Sequence, residues 1–113
     1  MHELGICDAL LKTVDGIVKE QELEGVNKVV LEVGLLSGAV PRFLADCWQA
    51  VIDGTPYAGV PLEIETVRGI ARCEDCAKEF PVDLENLKCP NCGGARLTPL
   101  TGRDLTIKEI EAY

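Results

Sequence analysis

Histidine is nearly missing from this chain of 113 residues: there is one, at position 2. Without a second imidazole the chain lacks the usual proton shuttle. No serine, cysteine or acidic pair stands near a base in a recognisable catalytic spacing, so an enzyme is not expected. Basic residues are scarce as well, 11 Lys and Arg against 19 Asp and Glu, for a net charge of −8. Nucleic-acid binding draws much of its affinity from cations placed on phosphates, so this balance excludes DNA and RNA as expected partners. No apolar run approaches the roughly 20 residues needed to span a bilayer, which excludes a membrane helix. A basic-then-apolar leader is also missing, since Glu3 and Asp8 are charged where such a leader would be apolar. Internal repeats and low-complexity stretches are absent.

What is present is a folded composition, 47% hydrophobic, in a chain long enough for one domain or two small units. Apolar residues recur at Leu4, Cys7, Leu11, Val14 and Val18, with Leu10 and Ile17 widening the stripe. This spacing of three and four predicts a helix from about Glu3 to Glu22, with Gly25 as its stop. Val26 to Val33 reads as a buried strand. Pro41 suits the first position of a second helix, which carries Val40, Phe43, Leu44, Cys47, Trp48, Val51 and Ile52. Leu62 to Val67 alternates apolar and acidic residues, as a half-covered strand does. A last strand begins near Asp104, and Ile110 falls on the opposite parity to Leu105 and Ile107, which predicts a bulge or a bend near Lys108. Cys7, Cys47 and Trp48 are expected as core residues, and Glu63 and Glu65 as a solvated strand face.

The expected fold class is therefore α+β: two helices packed on a small, about three-stranded mixed sheet, with a zinc-ribbon-like module inserted before the last strand. Residues 1–69 plus 100–113 are expected to form one domain and residues 70–99 the other.

The inserted stretch reads Cys73-Glu-Asp-Cys76, twelve residues, then Cys89-Pro-Asn-Cys92-Gly93-Gly94. Two Cys-x-x-Cys turns facing each other place four thiolates around one ion in the tetrahedron that structural zinc prefers. Pro90 presets a turn dihedral, and Gly93 is expected to let the backbone approach the sulfurs. The stretch has too few apolar residues to fold without its ion. Four of six cysteines in metal spacing point to a reducing compartment, the cytoplasm.

His2 matters because of its position. The amine of Met1, the backbone nitrogen of His2 and its ring Nδ1 can close fused chelate rings, a nitrogen set that favours planar Cu(II) or Ni(II) over zinc. A fourth ligand could come from Glu3 or from a partner protein.

Met1-His2-Glu3 opening a helix, a βαβ-like core, the late Cys73-x-x-Cys76…Cys89-Pro-x-Cys92 module and the closing Leu105-Thr-Ile-Lys-Glu-Ile-Glu111 together resemble the HypA/HybF family of hydrogenase maturation proteins. The resemblance implies a nickel metallochaperone for [NiFe] hydrogenase, with the HypB GTPase and the hydrogenase large subunit as partners. It further implies transported Ni2+ at Met1, His2 and Glu3, and structural Zn2+ at Cys73, Cys76, Cys89 and Cys92. Some members carry histidines beside the zinc cysteines; this chain has none, so exchange of thiolate for imidazole cannot occur at its site. Two rivals stay open on residues alone. One is a rubredoxin-like iron redox module, against which Cys76-Ala77 lacks the matching glycine. The other is a zinc-ribbon interaction adaptor without a second metal. Association into homo-oligomers is also left open.

Overall fold

The structure, a computed structural model, describes residues 2–113. Two α-helices, α1 (Glu3–Glu20) and α2 (Pro41–Ile52), accompany six strands: β1 (Val26–Gly34), β2 (Leu62–Val67), β3 (Ile70–Cys73), β4 (Glu79–Pro81), β5 (Leu97–Pro99) and β6 (Leu105–Ala112). The strands form two three-stranded sheets, in the orders β2-β1-β6 and β4-β3-β5.

The first sheet is mixed. Val29 N–H donates to Pro61 O at 3.1 Å and Leu35 N–H to Val67 O at 2.9 Å, so β1 and β2 advance in the same direction. Tyr113 N–H to Gly25 O at 3.0 Å and Gly34 N–H to Asp104 O at 2.8 Å run β6 the opposite way. A parallel pair needs a crossover rather than a tight turn, and α2 supplies it. Along β6 the exposure alternates until Lys108 and Glu109, which are both exposed, and then resumes on the other parity with Ile110 half-buried. This is the phase slip that the sequence required.

The chain divides into two compact units: unit 1 comprises Met1–Glu32, Ala39–Glu65 and Thr106–Tyr113, and unit 2 comprises Val33–Gly38 and Thr66–Leu105. In unit 1 the two helices pack together, with the Cys7 thiol donating to Leu44 O at 3.3 Å. Leu44, Trp48 and Ile52, four apart, form the buried stripe of α2. Trp48 is fully buried and its indole N–H donates to Val60 O at 2.8 Å, so the indole's polar atom is satisfied within the core. Cys7 is fully buried, as expected of a small core residue, and Cys47 is half-buried. Glu63 and Glu65 are exposed and pair with Lys28 and Lys108.

Three expectations are corrected. On α1 the buried stripe is Glu3, Cys7, Leu10 and Val14, while Leu4 is 54% exposed. Glu3 thus occupies the buried register that Leu4 was expected to hold. The helix also stops earlier than expected. Glu22 takes the left-handed conformation (φ 53°), Glu22 N–H donates to Lys19 O and Leu23 N–H to Val18 O, the paired closure of a Schellman motif. Gly25 lies beyond it. On α2, Val40 and Phe43 are each 40% exposed, so they fall outside the buried stripe.

Tyr57, 6% exposed, donates its hydroxyl to Asp15 Oδ1 at 2.7 Å and so ties the loop after α2 to α1. Lys19 and the Tyr57 hydroxyl hold the Asp15 carboxyl below its ordinary value, and burial followed by Asp15 itself push the Tyr57 phenol up to about 12. Tyr57→Phe is expected to lower stability by about 1 kcal/mol at neutral pH, the typical net worth of one hydrogen bond. A carboxyl lowered in the folded state contributes stability above its unfolded pKa, and this is lost as pH falls through the folded value. Denaturant melts of the two proteins should therefore differ at neutral pH and converge in acid, below the ordinary carboxylate range.

Candidate metal centre

The second sheet exists to present sulfur. β3 pairs antiparallel with β4 on one side and with β5 on the other. Cys73 ends β3, and the chain then turns back into β4. Cys73 N–H donates to Lys78 O at 2.9 Å and Ala77 N–H to Cys73 O at 2.8 Å. The second cysteine turn repeats this pattern at the same offsets, Cys89 N–H to Gly94 O and Gly93 N–H to Cys89 O, both at 2.8 Å. The residue after each pair is left-handed, Gly93 at φ 75° and Ala77 at φ 64°. The missing glycine after Cys76 is therefore no obstacle to the turn: Ala77 adopts the strained conformation that Gly93 takes without cost.

Gly93 and Gly94 have separate roles. A Cβ on Gly93 would meet nothing within 4 Å, so Gly93 is needed for its dihedral rather than for space. The close approach to sulfur that was expected at Gly93 occurs at Gly94, where a Cβ would lie 2.5 Å from Asp75 Oδ2 and 3.3 Å from Cys92 Sγ. Asp75 in turn takes the Arg96 guanidinium, which links the first turn to the segment entering β5.

The four Sγ atoms of Cys73, Cys76, Cys89 and Cys92 lie within 4.8 Å of one another. Cys73 and Cys92 approach to 3.5 Å and Cys76 and Cys89 to 3.6 Å. A tetrahedral ion with metal–sulfur bonds of about 2.3 Å requires sulfurs about 3.8 Å apart, so the residues fit zinc. Backbone amides already point at the sulfurs, Asn91 N–H at Cys89 and Gly94 N–H at Cys92, each 3.4 Å. The Lys78 N–H, then the Asn91 side chain, bring the Cys76 thiol down to about 6. At Cys92 the Gly94 N–H works in the same direction, but hydrogen bonds shared with Cys73 and the other cysteines, together with burial, raise the thiol to about 12. Metal binding would displace a proton from that thiol.

Cys73 and Cys89 are also core residues, fully buried and 3% exposed, and they pack with Ala71, Phe80, Val82 and Leu97. Cys76 and Cys92 face solvent. Half of the metal-binding sulfur is thus also half of this small buried cluster. A closed four-thiolate site leaves an ion no open position, so the zinc would supply structure rather than catalysis.

At the other candidate site, Met1 lies outside the described residues. His2 is exposed and caps α1 from outside it, with φ −145° and its carbonyl accepting Ile6 N–H at 3.0 Å; its side chain makes no capping bond. Glu3 points the opposite way. It is 2% exposed, its Oε2 accepts the Val40 N–H at the start of α2 at 3.3 Å, and its buried Oε1 has no hydrogen-bond partner among the described residues. Its own backbone N–H, opposed by burial and aided by the N–H groups of Val40 and His2, holds the carboxyl below its ordinary value. Glu3 is therefore a buried carboxylate whose Oε1 has no partner among the described residues, an arrangement that favours a nearby donor or cation.

A profile of the HypA family, described as hydrogenase/urease nickel incorporation, metallochaperone, matches residues 1–112. The hydrogenase maturation factor HypA of Rhodopseudomonas palustris is 35% identical over 111 residues, covering 98% of each chain. That of Streptomyces avermitilis is 38% identical over 112 residues, covering 97% of this chain and 86% of its own. The solution structure of the Ni metallochaperone HypA from Helicobacter pylori shares the fold, with a TM-score of 0.68 at 18% identity over 99% of this chain and 97% of that one. By whole-length match to profile and relatives, this chain belongs to the HypA family of nickel metallochaperones for hydrogenase maturation.

Proposed function

We propose that this protein binds Ni(II) at Met1, His2 and Glu3 and delivers it to the [NiFe] hydrogenase large subunit, acting with the HypB GTPase in the cytoplasm. It carries a metal and performs no catalysis. Cys73, Cys76, Cys89 and Cys92 hold the structural zinc; residues 70–99 form the zinc domain, and residues 1–69 plus 100–113 the nickel domain. The observation that carries the nickel reading is the opposed pair at the start of α1. An exposed imidazole at His2 is followed directly by a buried carboxylate at Glu3 whose Oε1 has no partner among the described residues. The nitrogen donors of Met1 and His2 suit planar Ni(II), and the adjoining fixed anion favours a cation there. A terminal site with few protein ligands also suits release to a recipient.

Calorimetric titration of the zinc-loaded chain with Ni(II) tests this. One nickel should bind in addition to the zinc. A zinc-ribbon adaptor with no second metal would bind none, and that result would overturn the proposal.

A further inference from the structure

Two cysteines outside the zinc cluster meet where the helices of unit 1 pack. Cys7 on α1 is fully buried, and its thiol donates to Leu44 O on α2 at 3.3 Å. A sulfur that close to a helix carbonyl leaves no layer of side chains between the two helices at this point, so their backbones approach closely. Cys47 stands three residues beyond Leu44 on the same helix. A helical side chain leans back over the residues three and four before it. Cys47 therefore lies over the turn whose carbonyl Cys7 already contacts. The electrostatics agree: after burial, the Cys47 thiol raises Cys7 more than Glu3 does, although Glu3 is one turn away on α1 itself. We propose that Cys7 and Cys47 are a dithiol site that exchanges with small disulfides, Cys47 as the entry thiol and Cys7 as its resolving partner, and closes a disulfide between α1 and α2. Neither nickel nor zinc takes part.

The two thiols differ as such a pair requires. Cys47 is half-buried and so within reach of a small disulfide from solvent, whereas Cys7 is 0% exposed. Burial also raises the Cys7 thiol to about 11, which makes it a poor nucleophile toward anything arriving from outside. Once Cys47 carries a mixed disulfide, the electrophilic sulfur is held beside Cys7, and proximity replaces the concentration an external thiol would need. A disulfide requires Cα atoms within about 7 Å, the spacing that close helix backbones provide.

The chemistry balances with glutathione disulfide as the oxidant. The Cys47 thiolate attacks one sulfur of glutathione disulfide, the S–S bond breaks, and a glutathione thiolate leaves and takes up a proton. Cys7 gives up its proton and attacks the Cys47 sulfur of the mixed disulfide. The Cys7–Cys47 bond forms, and the second glutathione thiolate leaves and is protonated. Two protein thiols lose two electrons and two protons, and one glutathione disulfide becomes two glutathiones.

The test is to incubate the zinc-loaded full chain with glutathione disulfide, quench in acid, denature, alkylate the remaining thiols and map linkages by non-reducing peptide mass spectrometry. Two of the chain's six thiols should be lost together, with the Cys7 and Cys47 peptides joined, and dithiothreitol should restore both. Cys7→Ser, whose hydroxyl can keep the bond to Leu44 O, should leave glutathione on Cys47 as an adduct that does not resolve. Cys47→Ser, at a half-buried position, probes the same order without disturbing the core and should leave Cys7 fully alkylatable. In the parent chain, a glutathione adduct that persists on Cys47 while Cys7 remains free would overturn the pairing. Failure of Cys47 to react at all, or loss of Cys7 in Cys47→Ser, would overturn the inference.

Discussion

Stripping the zinc with a chelator should unfold unit 2 and leave both helices intact. The helices belong to unit 1, whose buried set includes Cys7, Leu10, Val14, Val29, Leu31, Leu44, Trp48 and Ile52. Unit 2 has no comparable reserve. Its buried cluster is Ala71, Cys73, Phe80 and Cys89, flanked by Val82 and Leu97. Full burial of a large apolar side chain is worth only about 1.5–3 kcal/mol, while ordering each residue's backbone costs about 1–2 kcal/mol. Structural zinc in comparable peptides contributes about 10–16 kcal/mol of apparent binding free energy, larger than the three or four apolar side chains can supply together. Far-UV circular dichroism should therefore keep its helical signal after chelation. Amide protection should be lost across β3, β4 and β5, and the loss should reverse on adding zinc. Cys89→Ser should reproduce the effect in the presence of zinc, because it removes a ligand and places a hydroxyl in the buried cluster. Unchanged protection of Ile70–Cys73 in the metal-free chain would refute the dependence.

The two metal-related ends of the sequence differ in how far they could be read. The four cysteines were fully legible, because a thiolate tetrahedron is encoded in spacing, and spacing survives whatever the rest of the chain does. The helices and the sheet of β1, β2 and β6 were legible from periodicity, including the phase slip at Lys108 and Glu109. The second sheet was not. β4 and β5 are three residues each, too short for alternation to declare itself, and they are held by pairing with β3 and by the turns beside the sulfurs. The division of labour between Gly93 and Gly94 was likewise invisible, since it depends on Asp75 arriving from the other turn.

The burial of Glu3 was missed for a different reason. Apolar residues define a stripe only where burial is apolar, so by periodicity Leu4 reads as the first buried position of α1. Counting back from Val14, Leu10 and Cys7 by alternating four and three lands on Glu3 instead. A charged residue in the buried register of a helix's first turn was the available signal. Val40 N–H fixes one carboxylate oxygen there, and the other has no partner among the described residues.

His2→Ala should remove tight nickel binding and change little else. The His2 side chain is exposed and makes no capping hydrogen bond, so its loss removes no contact that α1 depends on. Zinc content, the helical signal and thermal stability should match the parent. On the nickel reading the loss is large, because the imidazole closes one of the fused chelate rings and the remaining donors lose the planar nitrogen set. Removing even an outer partner of a metal ligand commonly costs 10–100-fold in affinity, so loss of the ligand itself should exceed about 100-fold. A companion variant separates the ligand from its anchor. Glu3→Gln keeps an acceptor for Val40 N–H and nearly the same shape but removes the buried negative charge. It should fold with α1 in place and bind nickel more weakly than the parent, though better than His2→Ala. Extending the chain by residues before Met1 converts the chelating amine into an amide and should damage binding without touching any side chain. Equal nickel affinity in His2→Ala and parent, measured on zinc-loaded protein, would move the cargo site away from this terminus. Loss in His2→Ala with retention in the extended chain would keep the imidazole and remove the amine, leaving Glu3 as the nearest fixed anion to complete the site.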